Sequence, residues 1–151
     1  MATKYSTQYD QAYITKPFSA LKPNEQAGRV RCAYAKYSFS ADLAAADVIN
    51  MFKLPKGARI VDAILKTPDL DASGGTLDVG YDSGLNGDET ADPDGLFVDV
   101  DVTSAALTRM LVGAAAHFRE LLDEVNVQIT IDGDTDATSG DVFLAVFYVL
   151  D

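Results

Sequence analysis

At 151 residues, 48% of them apolar and 23% charged, the chain has the size and composition of one globular domain with a real core, which excludes disorder throughout. Its net charge of −11 opposes general nucleic-acid binding, which needs clustered Lys and Arg to neutralise phosphates. That charge is unevenly spread: residues 1–66 carry 10 Lys+Arg against 5 Asp+Glu, and residues 67–151 carry 2 against 18, so a basic leading part precedes an acidic remainder.

Residues 1–27 set themselves apart. Tyr5, Tyr9, Tyr13, Ile14 and Phe18 are mixed with Thr, Gln and Lys without a sustained period, and Pro17 and Pro23 interrupt any regular element. They read as an extended N-terminal arm whose aromatics need cover, either from a neighbouring subunit or by folding back on the domain of residues 28–151. No apolar signal-peptide core is visible in residues 1–20, and no apolar run approaches the ~20 residues of a bilayer span.

From residue 29 the pattern is mostly β. Residues 29–39 form a strand-like run holding the lone cysteine, Cys32, which reads as a small buried hydrophobe; a single Cys excludes an intramolecular disulfide. Val48–Leu54 is apolar on both parities, which predicts burial on both faces. After the turn Pro55-Lys56-Gly57, residues 59–66 put Val61, Ala63 and Leu65 on one face. Thr76–Tyr81 does the same with Leu77, Val79 and Tyr81. Leu96, Val98, Val100 and Val102 predict the buried side of a further strand. Residues 104–112 suggest a short helix, capped by Thr103 or Ser104 and ended by Gly113, and residues 114–124 are ambiguous between helix and irregular chain. Residues 125–132 alternate without a fault. Residues 142–150 are again apolar on both parities, so their second face needs a cover from the arm, a helix or another subunit. About seven mostly antiparallel strands with one or two short helices predict an all-β sandwich of jelly-roll type.

Chemistry-bearing constellations are sparse. Asp82, Asp88, Glu89, Asp92 and Asp94 crowd one loop, and Asp132, Asp134 and Asp136 alternate in another, as carboxylates do where they gather calcium. The second loop departs from the EF-hand pattern, with Ala137 where Gly is needed and Phe143 where the bidentate Glu belongs. The alternatives are a solvated acidic rim, or a calcium-dependent carbohydrate-binding or adhesive module. The latter lacks a stacking platform, since the chain has no Trp. One His (His117, in an Ala-rich stretch) and one Cys disfavour zinc, and phosphate-loop and nucleophile-elbow motifs are absent. No residue is assigned a catalytic, metal or cofactor role, and an enzyme is not expected.

The order of elements carries a resemblance. A polar arm precedes residues 46–54, then Pro55-Lys56-Gly57 and Ala58-Arg59-Ile60-Val61-Asp62-Ala63; a loop leads to Leu77-Asp78-Val79-Gly80-Tyr81, and the chain closes on Gly140-Asp141-Val142 through Phe147-Tyr148-Val149-Leu150-Asp151. Over roughly residues 28–151 this resembles the head decoration, or cement, proteins of tailed bacteriophages. The resemblance implies a virion protein on the outer capsid surface, made in the host cytoplasm. It further implies a homotrimeric β-sandwich with the major capsid protein as partner, an attachment arm matching residues 1–27, and no cofactor, membrane or nucleic acid.

Overall fold

The computed structural model describes residues 4–22, 26–40, 43–70, 75–110, 114–132 and 139–150. Among them eight strands form two four-stranded antiparallel sheets: β1 (Val30–Phe39), β2 (Val48–Leu54), β3 (Arg59–Thr67), β4 (Thr76–Tyr81), β5 (Asp92–Asp101), β6 (Ala106–Arg109), β7 (Val125–Ile131) and β8 (Gly140–Val149). The first sheet runs β1-β8-β3-β6 and the second β2-β7-β4-β5. β1 pairs with β8, β2 with β7, β3 with β6 and β4 with β5. That is one long hairpin folded over at the β4–β5 connection and rolled up, which is the jelly roll. The expected all-β sandwich is therefore present, with eight strands where about seven were read.

Alternation decides which side chains meet between the sheets. Leu65, Leu144 and Val146 from the first sheet and Leu77, Val79, Ile129 and Ile131 from the second are buried in one core, each contributing about 1.5–3 kcal/mol of apolar burial. β2 and β4 fall where the pattern places them. Other elements differ from expectation. β2 is apolar on both parities because its pairing with β7 shifts between Asn50 and Phe52; the bulge brings both Met51 and Phe52 against the core, so the strand is not covered on two sides.

No helix forms over residues 104–110. The Asp101 carboxylate takes both the N–H and the hydroxyl of Thr103, at 2.8 and 2.7 Å, which diverts the cap. Ala106–Arg109 then adds to β3 as an edge strand; Val112 lies outside the described residues. Residues 114–124 are turns, with one isolated bridge from Glu120 to Arg59. The short helix lies instead in the arm, at Thr7–Tyr9, with Ser6 as cap and continuing into a wider turn at Asp10–Ile14. Cys32 is exposed, opposite Phe147 on the outward parity of β1, and is not the buried residue expected.

Candidate interaction surface

The outer face of the first sheet can be laid out from register alone. One row reads Cys32, Phe147 and Asp62; the next reads Tyr34, Ala145, Ile64 and Arg109; the third reads Lys36, Phe143, Lys66 and Leu107. The centre is apolar and uncovered: Tyr34 is 62% exposed and Leu107 72%. Tyr34 and Phe143 stack with ring centroids 6.2 Å apart. Tyr34, Ile64, Lys66, Leu107, Phe143 and Ala145 line a shallow depression of about 240 Å³.

Charged groups rim that centre. Lys66 Nζ lies 5.3 Å over the Phe143 ring. Lys36 bonds Asp141 at 3.1 Å, and Arg109 Nε bonds Asp62 at 2.7 Å. The cover that residues 142–150 were expected to need is thus not supplied by any described part of the chain. The second sheet's outer face is more polar: register places Asn50, Gln128 and Gly80 in one row and the exposed Val48 with Thr130 and Asp78 in another, and Gln128 Nε2 donates to Asn50 Oδ1 at 3.0 Å. One face of the sandwich has an apolar centre rimmed by Lys66 and two ion pairs; the other is mostly polar.

The arm presents a second apolar feature. The spacing of four places Tyr5, Tyr9 and Tyr13 on one side of the helical turn, with Tyr5 stacked on Tyr9 at 5.3 Å and Tyr13 tilted against Tyr9 at 5.0 Å, and all three are exposed, as are Ile14 and Phe18. Lys22 ties the arm to Glu120 at 3.3 Å, and Glu120 in turn holds Arg59 at 2.9 Å.

The acidic loops turn out to hold the fold. Glu89 is only 3% exposed; it pairs with Arg119 Nη2 and accepts the Leu122 N–H at 2.7 Å, while Arg119 Nη1 donates to the Tyr81 hydroxyl at 3.0 Å. Asp123 is buried and accepts from the Asn86 N–H at 2.6 Å and the Asn86 Nδ2 at 2.9 Å. Asp82 accepts from the N–H groups of Gly84 and Asn126 at 3.1 and 2.9 Å. Asp88 lies 3.9 Å from Lys56. These carboxylates pin the long β4–β5 connection to residues 119–126, separations that no local pattern reveals. Among the described residues no group of three or more His, Cys, Asp or Glu is placed to hold a metal. Asp134 and Asp136 lie outside the described residues. His117 Nε2 sits 3.0 Å from the Val61 carbonyl and its ring stacks on Phe118.

The carboxylates divide by environment. Burial acts to raise Asp82, but the bonds donated by Asn126 and Gly84 outweigh it and hold this carboxyl below its ordinary range. The Asn86 N–H does the same for Asp123, against burial. Burial raises Asp78 against the N–H that Asp99 donates to it, with help from the charges of Asp99 and Asp132, and burial with a hydrogen bond to Asp94 raises Asp92. A lowered group stabilises the fold above the unfolded pKa and loses that contribution as pH falls through its folded value; a raised group destabilises the fold while charged and is relieved as it protonates. The melting temperature should therefore rise as pH falls from 7 into the ordinary carboxylate range, where Asp78 and Asp92 take up protons, then fall on further acidification as Asp82 and Asp123 do. Calorimetry across this range checks it; a monotonic fall from pH 7 would contradict the assignment.

No family model matches the chain, and no curated protein matches its sequence. Solved structures do. A chain of the cyanophage Pam1 capsid asymmetric unit superposes with a TM-score of 0.69 at 21% identity, over 90% of this chain and 95% of that one. A chain from the capsid of Ralstonia phage GP4 gives 0.67 at 26% identity, over 94% and 96%. One from the capsid structure of Helicobacter pylori bacteriophage KHP30 gives 0.50 at 18%, over 81% and 94%. The jelly roll described above is shared with chains of phage capsid structures along nearly their full lengths.

Proposed function

We propose that this chain is a virion structural protein of a tailed bacteriophage, a decoration protein that binds the outside of the head shell as a trimer and stabilises it, with the major capsid protein as its partner. The observation that carries the reading is the uncovered outer face of β1-β8-β3-β6, with its apolar centre, on a fold shared with phage capsid chains. Exposed apolar patches of this kind mark protein interfaces. The mostly polar opposite face suits solvent and keeps bound copies from associating through it. The exposed tyrosines of the arm supply large, stiff contact groups of the sort that dominate interface energetics.

Such a protein binds the assembled shell and not its separated subunits, so it stabilises the shell by mass action, about 2.7 kcal/mol per site at a hundredfold excess over Kd. A trimer engages several shell subunits at once and gains avidity without new contact types. The test is binding to purified heads. Tyr34→Glu with Phe143→Glu should leave the fold intact, since both rings lie outside the core, and weaken attachment at least ~30-fold, about 2 kcal/mol for a central aromatic anchor. Removing residues 1–27 should weaken attachment while the β core still melts cooperatively. Unchanged head occupancy in the first variant would sink the proposed face, and in the second would remove the arm from attachment.

A further inference from the structure

Charges outside the ion pairs lie at both margins of the sandwich as well as elsewhere, with Lys66 on β3 and Asp78 on β4. Seven cations, Lys22, Lys36, Lys53, Lys56, Arg59, Arg109 and Arg119, are in salt bridges among the described residues. Arg29 and Arg31 are in none of these bridges, and both are exposed where β1 begins. The carboxylates outside those bridges include Asp94, Asp99 and Asp101, all on β5. β1 and β5 are both edge strands, each ten residues long, and among the described residues each pairs on one side only. They lie at opposite margins of the sandwich: β1 is at one end of the first sheet, while β5 and β6 end their sheets at the other. Three strand intervals, roughly 14 Å, separate β1 from β6. The basic edge of a chain therefore cannot reach its own acidic edge.

The acidic margin is also shaped to receive something. Between β5 and β6 runs an open groove of about 340 Å³ whose lining includes Val98, Asp99, Asp101, Ser104, Ala106 and Thr108. Val98 is exposed there, and Val30 is exposed beside Arg29 and Arg31 on the opposite margin. Each margin offers an edge strand, an exposed valine and charges outside the ion pairs, positive at one and negative at the other.

We propose that a second copy of this chain fills the groove: the β1 edge of one copy seats against the β5–β6 margin of the next, with Arg29 and Arg31 facing Asp99 and Asp101. The contact joins two different patches, so it runs head to tail and closes into a ring when the rotation between copies closes. It deepens the trimer of the preceding section, resting on that reading for the number of copies, and gives it an interface distinct from the shell-facing sheet.

The experiment is sedimentation velocity on the full-length chain across concentration, at low and high salt, with head binding measured separately. The wild type should associate, and less so at high salt. Arg29→Glu with Arg31→Glu should weaken association at least about tenfold, as should Asp99→Lys with Asp101→Lys, since each brings like charges together. Mixing the two reversed proteins should restore association, because each then offers the charge the other lacks. The Asp101 carboxylate also holds Thr103, so Ser104→Arg, at an exposed bend, serves as a second probe of the groove and should weaken association while leaving the melting temperature unchanged. A wild type that stays monomeric, association that survives both reversals, or a mixture no tighter than its components would overturn the contact. Head binding by a chain that fails these tests would leave the shell reading standing, and ring formation without head binding would do the reverse.

Discussion

Replacing Arg119 with Ala is expected to cost about 3–5 kcal/mol of folding stability, the range for removing one partner of a buried ion pair. The effect is large because the two members are not equally placed. The Glu89 side chain is fully buried, whereas that of Arg119 is 36% exposed, so removing the arginine leaves a carboxylate with no route to water. Glu89 would keep the N–H groups of Leu122 and Thr90, at 2.7 and 3.0 Å, but lose the only cation that neutralises it among the described residues. The Tyr81 hydroxyl, on a fully buried ring, would lose its donor as well. Glu89→Gln should cost less, since an amide oxygen can still accept from Leu122. Replacing both members with apolar residues of similar volume, Glu89→Leu with Arg119→Met, should recover most of the loss. Urea unfolding of Glu89→Leu, Arg119→Met and their double closes a mutant cycle. Additive losses would mean that the two side chains do not act as a pair, and a loss below about 1 kcal/mol for Arg119→Ala would mean that water reaches Glu89.

How much of this could be read from the residues depends on how local each cause is. β2, β4 and β7 were legible because alternation and flanking turns are both encoded within a strand's own length. The two-parity run of β8 was legible as a need for cover, and its answer is the open face around Phe143 and Ala145. Tyr34 was not singled out as part of that face: its inward neighbours are Ala33 and Ala35, so the parity of β1 is weakly marked. The helix expected over residues 104–112 failed because its cap signal, Thr103, is taken by Asp101, and because β3 offers four residues of β6 a ladder. Neither fact lies inside the segment. The acidic loops looked like a cation site because composition cannot say where the acceptors point. Glu89 meets Arg119 across 30 residues and Asp82 meets Asn126 across 44, and only the rolled hairpin brings them together.

That rolling also separates the two kinds of surface. The first sheet takes the first, third, sixth and eighth strands, and the second sheet takes the others. The linear division of charge is therefore not kept: the apolar face of the first sheet carries ion pairs of both signs at its rim, and the second sheet's face is mostly polar. Apolar surface concentrated on one face limits self-stacking, since a sandwich sticky on both faces would stack on itself.

Gly80→Ala is the second substitution expected to be severe, at about 3 kcal/mol or more, above the usual range for overpacking. Gly80 lies in β4 where its pairing with β5 is interrupted: Val79 faces Phe97, yet Tyr81 faces Asp92, so residues 93–96 bow out opposite a single residue. Pro93, which has no N–H for a ladder, stands in that bow, where a proline is tolerated. A Cβ on Gly80 would overlap the Asp92 carbonyl oxygen and the carbonyl group of Pro93. All of these are backbone atoms, so no rotamer change relieves the clash and the first half of β5 must move. Gly87→Ala is the control: its φ of +75° makes an L side chain costly, but a Cβ there meets nothing within 4 Å, so it should cost only about 1 kcal/mol. Hydrogen exchange should show the β4–β5 amides around Tyr81 losing protection in Gly80→Ala while β8 keeps its own. A Gly80→Ala protein no less stable than Gly87→Ala, with β5 still protected, would mean that the chain does not pass over Gly80 as described.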